Sequence, residues 1–190
     1  MMEESIELME AFIASISEVT IDLTALTDNG TAYVCMLPAA GEVRRMMDLL
    51  DLTRPPFDPT TLRDEAHVTL IYSRKAGLDP SKVRPVLGPH IVAWITGVEY
   101  WEGHDKDGYA VFKLESPEAD AANRMLAAAG AQHSFDKFQA HLSICSKVGP
   151  ETPEVRAWVR RAGDMLSPPF GGAPMAIRFD RIRAEDIKED

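Results

Sequence analysis

The chain has 190 residues and a formal net charge of −10, from 20 Lys and Arg against 30 Asp and Glu. That balance argues against a protein that grips long RNA or DNA along a basic track, because such a track must displace many counterions, and leaves room only for a local basic patch. It favours a small ligand. Hydrophobic content of 45% and charged content of 26% are ordinary for a globular chain, and the length supports one core or two intimate lobes sharing one.

No apolar run approaches the roughly 18 residues of a membrane span, so no membrane contact is expected. The start, Met1-Met2-Glu3-Glu4-Ser5, is acidic and lacks the basic opening of a signal peptide. The 2 cysteines, Cys35 and Cys145, both fall in strand-like apolar runs and read as small buried residues. Nothing in their spacing suggests a disulfide framework or a Cys-ligated metal, and a reducing cytoplasm fits.

In chain order, Ile6, Met9, Phe12, Ile13 and Ile16 form one helical stripe, which predicts an N-terminal helix within residues 1–20. The main use expected for it is packing on the domain that follows, residues 21–190. A homodimer contact and the remnant of a larger fusion stand as alternatives. Asp28-Asn29-Gly30 marks a turn, and Thr31 to Leu37 reads as the first core strand. Ala40 to Leu52 is a helix with Val43, Met46, Met47 and Leu50 inward. Thr53-Arg54-Pro55-Pro56-Phe57-Asp58-Pro59 is a proline-stiffened loop.

Gly77 to Gly88 is a connection with a short helix from Asp79. His90 to Glu102 is a long strand, or a strand pair, bent near Gly97. Asp105-Lys106-Asp107-Gly108 is a hairpin turn, and Tyr109 to Glu115 returns as its partner. Ser116-Pro117-Glu118 opens a helix that closes at Gly130. Pro153 to Met165 is a helix with Val155, Trp158, Val159 and Ala162 inward. Ser167 to Gly172 is a flexible break, a candidate lid. Met175 to Ile182 is the last strand, whose alternation sets Arg178 and Arg181 on opposite faces. The acidic tail from Ala184 reads as solvated, and Glu185 would reach a base edge if the tail folds over a groove.

Two short motifs carry chemistry. His67-Val68-Thr69 and His141-Leu142-Ser143 each sit in an apolar run with strand alternation. Residues i and i+2 of a strand point to one face, so each strand presents an imidazole and a hydroxyl together. Two histidines can divide the roles of base and acid in phosphodiester cleavage, and the hydroxyls of Thr69 and Ser143 can donate to the phosphoryl oxygens. No metal or other cofactor is required by this set. The other three of the 5 histidines, His90, His104 and His133, lack the repeated hydroxyl and read as ordinary surface or strand residues. Lys75 and Lys147 follow the two motifs and read as solvated strand-end charges that could meet phosphate. Trp101, beside the hairpin tip, is a candidate platform for stacking a nucleobase. There is no H-E-x-x-H, no Gly-rich loop ending in G-K-[ST], and no G-x-S-x-G.

The duplicated His–apolar–Ser/Thr motif resembles that of the 2H phosphoesterase superfamily over roughly residues 31 to 183. The run Leu70-Ile71-Tyr72-Ser73-Arg74-Lys75 after the first motif looks like that of the phage anti-CBASS phosphodiesterases. The resemblance implies an α+β fold of two pseudo-symmetric lobes, with antiparallel sheets facing a central cleft, and the N-terminal helix as an addition to it. Strand–helix–strand ending in a motif occurs twice, at residues 31 to 73 and 109 to 146, in agreement. Tyr33 is placed like a base-contacting tyrosine of the phage enzymes. Ser143 stands where many relatives have Thr, and the hydroxyl is kept.

The implied activity is hydrolysis of 3′,5′-linked cyclic di- or trinucleotide messengers without a metal, in the host cytoplasm if the chain is phage-encoded. A 2′,3′-cyclic phosphodiesterase acting on RNA ends or small nucleotides is the enzymatic alternative. A sponge that binds the messenger intact is the non-enzymatic one, and it has no need of an acid–base pair.

Overall fold

Among the described residues, apolar runs with alternating burial build a sheet of seven strands, and amphipathic segments cover one side of it. The computed structural model describes residues 19, 21–22, 31–75, 77–83, 90–103, 107–133, 137–166 and 174–187. The predicted N-terminal helix, the Asp28-Asn29-Gly30 turn, His104 and the Ser167–Gly172 break lie outside the described residues.

The strands are β1 (Ile21–Asp22), β2 (Ala32–Pro38), β3 (Val68–Ser73), β4 (Ile91–Trp101), β5 (Tyr109–Glu115), β6 (His141–Cys145) and β7 (Ala176–Glu185). The helices are α1 (Glu42–Thr53), α2 (Thr60–Glu65), α3 (Pro117–Ala128) and α4 (Pro153–Leu166), with a 3₁₀ turn at Pro80–Lys82. Main-chain pairing runs in the order β3-β2-β7-β4-β5-β6, antiparallel throughout, and β1 adds to β7 in parallel. With the helices the fold is α+β, and among the described residues the strands form one continuous sheet. Its halves, β3-β2-β7 and β4-β5-β6, join where β7 pairs with β4 from Ala176 to Phe179.

The motif strands β3 and β6 are the two edges of this sheet, yet they approach each other, so the sheet curls. The helices pin both edges. Leu70 is the extra residue of a bulge in β3, opposite the Val34–Cys35 step. Its carbonyl accepts from Asn123 Nδ2 of α3 at 2.6 Å, which satisfies a buried group lost to the ladder. Thr61 of α2 accepts from the Ser146 N–H at 2.9 Å, just past β6. The helix before each motif strand therefore holds the other one.

Helix boundaries follow their chemistry. Ser116 caps α3 by accepting from the Ala119 N–H at 3.2 Å, with Pro117 in the first turn. Helix α2 follows the proline-stiffened loop, where the sequence predicts no element. Only Leu62 of its six residues is buried, so it carries no helical stripe to read. In α1, Met46 and Leu50 are buried while Val43 and Met47 pack half-buried against the core. In α4, Val155, Trp158, Ala162 and Leu166 face in.

Cross-strand partners share a face of the sheet. One face, with Val34, Met36, Leu70, Phe112, Leu142, Ile177 and Phe179, is core. The other carries Thr69 opposite Cys35, Cys35 opposite Arg183, and Ser143 opposite Val111. A bulge between Leu37 and Pro38 makes Asp180 the extra residue of β7, because Leu37 pairs with Arg181 and Pro38 with Phe179. Alternation therefore skips once, and Arg178, Arg181 and Arg183 all lie exposed on the open face. This corrects the sequence expectation that Arg178 and Arg181 point oppositely.

Candidate active site

Each motif histidine stands where a motif strand begins, and each makes the same local bond. His67 Nδ1 lies 2.6 Å from the Glu65 carbonyl oxygen, and His141 Nδ1 lies 2.9 Å from that of Gln139. A carbonyl can only accept, so Nδ1 carries the proton in both rings and Nε2 is left for chemistry. The carbonyl two residues back in the chain thus fixes tautomer and ring direction together.

Around the first histidine, Tyr33 presents its ring edge-on at a centroid distance of 6.0 Å. The Tyr33 hydroxyl is 3.3 Å from Thr69 Oγ1. Burial pushes the Tyr33 hydroxyl up to about 12, so it remains a neutral donor near neutrality. Cys35, a free thiol and also raised by burial, lies between Tyr33 and the guanidinium of Arg183.

Around the second, the indole of Trp101 lies against the imidazole of His141, with ring centroids 4.5 Å apart. Trp101 Nε1 donates to Glu99 Oε2 at 2.8 Å, and Lys113 Nζ donates to Glu99 Oε1 at 2.9 Å. The indole hydrogen bond, outweighing partial burial, and the ammonium hold the Glu99 carboxyl below its usual range. Burial pushes His141 below the ordinary histidine value. The bond to the Gln139 carbonyl opposes this, and electrostatic repulsion between the two imidazoles adds to it.

Thr69, His141 and Ser143 line one cavity of about 570 Å³ with Trp101, Tyr109 and His133 among its walls. The structure therefore brings together three of the four predicted catalytic side chains in one lining. His67 stands outside that lining, against Tyr33, and close enough for its charge to act on His141. Tyr33 and Glu185 line a second, smaller cavity of about 320 Å³ with Tyr72, Asp186 and Ile187. The tail is half-buried at Asp186 and Ile187, where the sequence reading had it solvated.

His133, read from the sequence as an ordinary surface or strand residue, is partly buried. It lines the larger cavity near Phe138, at a ring separation of 6.2 Å, and burial lowers its pKa. Its loop has no strand alternation to announce this. The only signal was its place in the segment leading into the second motif. Lys75 and Lys147 are exposed, and neither is among the cavity walls. Among the described residues, no three His, Cys, Asp or Glu side chains cluster as a metal would need, and no helix is long and apolar enough to cross a membrane.

These features define an α+β protein in which two imidazole–hydroxyl pairs stand on two sheet edges that approach each other, with three of the four side chains lining one cavity. The model of the family described as Anti-CBASS protein Acb1 matches residues 30–164, and the chain belongs to that family. Membership ties it to phage evasion of CBASS immunity and implies interaction with the cyclic oligonucleotide messengers of that defence. The matched span contains both motifs, Tyr33 and Trp101, and ends before β7. Comparison with curated proteins returns no match.

Proposed function

We propose that this chain is a phosphodiesterase that cleaves 3′,5′-linked cyclic di- or trinucleotides, and that its two half-sheets are the pseudo-symmetric lobes of a 2H phosphoesterase. The observation that carries the reading is the matched pair of Nδ1–carbonyl bonds at His67 and His141. Binding alone has no use for two imidazoles oriented alike beside Thr69 and Ser143, whereas acid–base cleavage needs both.

In this scheme, burial keeps His141 unprotonated near neutrality, which suits the base. Its Nε2 takes the proton of the ribose 2′-hydroxyl. The 2′-oxygen forms a bond to phosphorus, and the bond from phosphorus to the 5′-oxygen breaks. His67, as the imidazolium, gives a proton to that leaving oxygen. Thr69 and Ser143 donate to the equatorial phosphoryl oxygens, where charge gathers. The Tyr33 hydroxyl holds Thr69 in place. The product of this step is a 2′,3′-cyclic phosphate with a free 5′-hydroxyl. Water then opens the cyclic phosphate with the two histidines exchanging roles. Trp101 and Tyr33 would contact bases, and Glu185 a base edge.

The nucleophile decides the scheme. Attack by the neighbouring 2′-hydroxyl is intramolecular and gains accordingly. A cyclic dinucleotide with 2′-deoxyribose at the attacked linkage should therefore bind but be cleaved at least about 10³-fold more slowly. The ribose substrate should show a 2′,3′-cyclic phosphate at early times by phosphorus NMR. Equal rates for the two linkages would exclude this path.

A further inference from the structure

The mechanism uses one phosphate, but a cyclic di- or trinucleotide carries one for each nucleotide. A chain with net charge −10 repels such a ligand unless cations stand where the remaining phosphates fall. The open face of β7 supplies them. Because Asp180 is the extra residue of the bulge, Arg181 and Arg183 stand successively on the face that carries Thr69. Without that bulge, the alternation begun by the core residues Ile177 and Phe179 would turn Arg181 and Arg183 into the core. Bulges re-aim side chains in this way next to functional sites.

The three arginines are not equivalent. Arg178 is paired with the buried Glu42 at 2.9 Å, and Arg181 with its neighbour Asp180 at 3.4 Å. Arg183 has a carboxylate oxygen of Glu185 only at 4.0 Å, and its side chain is 52% exposed. It is also the one nearest the chemistry. Thr69, Cys35 and Arg183 are in register across three adjacent strands. That puts Arg183 two strand spacings, about 10 Å, from Thr69 along the sheet. The guanidinium reaches back to the Cys35 thiol and acts on Tyr33, whose hydroxyl bonds Thr69. A long, planar, always-charged side chain there suits a bidentate contact with phosphate.

We infer that Arg183, assisted by Arg181, is an anion subsite that holds the phosphodiester of a cyclic oligonucleotide that is not being cleaved. The inference rests on the proposed function for the identity of the ligand. It is separate from the acid–base machinery.

Arg183→Gln and Arg183→Lys in the full chain test it, each compared on two substrates. 3′,3′-Cyclic diadenylate has a second phosphate, and 2′,3′-cyclic AMP has none. For Arg183→Gln, kcat/KM on the cyclic dinucleotide should fall about 10- to 100-fold, mostly through KM. The loss on cyclic AMP should be at least about tenfold smaller, and Arg183→Lys should recover part of the larger loss. Equal proportional losses on both substrates would overturn the subsite and make Arg183 a positioning residue for Tyr33. No loss on either would overturn it too. Should the wild-type chain cleave neither compound, the proposed function fails, and calorimetric binding of cyclic diadenylate still decides the subsite. Affinity weakened about 10- to 100-fold by Arg183→Gln supports it, and unchanged affinity ends it.

Discussion

The two motif histidines share one backbone device and differ in nearly everything else around them. Each donates from Nδ1 to the carbonyl two residues earlier. Yet His67 meets the edge of Tyr33 at 6.0 Å, while His141 lies beneath Trp101 at 4.5 Å and is depressed by burial. The local bond, set by chain direction at a strand start, fixes which nitrogen is available. The tertiary neighbours fix when it is protonated. A repeated motif can thus hold two equally aimed imidazoles in unequal surroundings, and in the proposed scheme that difference divides base from acid.

The sharpest way to break this comparison is to remove each histidine in turn. His67→Ala and His141→Ala should each cost about 10² to 10⁴ in turnover of a cyclic dinucleotide, the usual share of a general acid or base. The double variant should lose much less than the product of the two, because both serve one event. A near-native rate in either single variant would dissolve the pair.

Much of this was legible in the sequence, for a physical reason. Strand alternation around His67 and His141 places imidazole and hydroxyl on one face whatever the fold does elsewhere. The span of β5 and the capped start of α3 follow from equally local signals, Gly108 before Tyr109 and Ser116-Pro117. What escaped were features made by distant pairing. The Asp180 bulge depends on how β7 meets β2, so alternation alone turned Arg181 the wrong way. His133 reaches the cavity wall through the path of its loop. The packing of Trp101 on His141 depends on the tether to Glu99 and on the pairing of β5 with both β4 and β6. A stacking tryptophan is readable at a hairpin tip, but not that the imidazole of His141 would be one of its neighbours.

That contact gives the next prediction, which sharpens the difference between the halves. Trp101 lines the cavity, so Trp101→Ala should weaken binding of a cyclic dinucleotide by roughly 1 to 3 kcal/mol if a base stacks there. It should also change the titration of the base. In the wild-type chain, activity should fall with acid only below the ordinary histidine value of 6.5, since burial holds His141 neutral down to lower pH. Stripping the indole rehydrates the imidazolium and raises that pKa, so the acid limb of kcat/KM should move to higher pH. An unmoved limb with lost affinity would leave Trp101 as a base contact only. A large drop in the thermal midpoint with unchanged affinity would make it a packing residue.

The smallest effect belongs to the other half. Tyr33→Phe keeps the ring edge against His67 and removes only the hydroxyl that lies 3.3 Å from Thr69 Oγ1. One neutral hydrogen bond of this kind is worth about 0.5 to 1.5 kcal/mol. Thr69 would then be free to rotate away from the phosphoryl oxygen that it serves in the proposed scheme. Turnover should fall about 2- to 10-fold. The acid limb assigned to His141 should stay where it is, because Tyr33 does not contribute to that ring's depression. If Tyr33→Phe instead moved the limb as Trp101→Ala does, the two histidines would be titrating as one unit, and base and acid could no longer be assigned to separate halves.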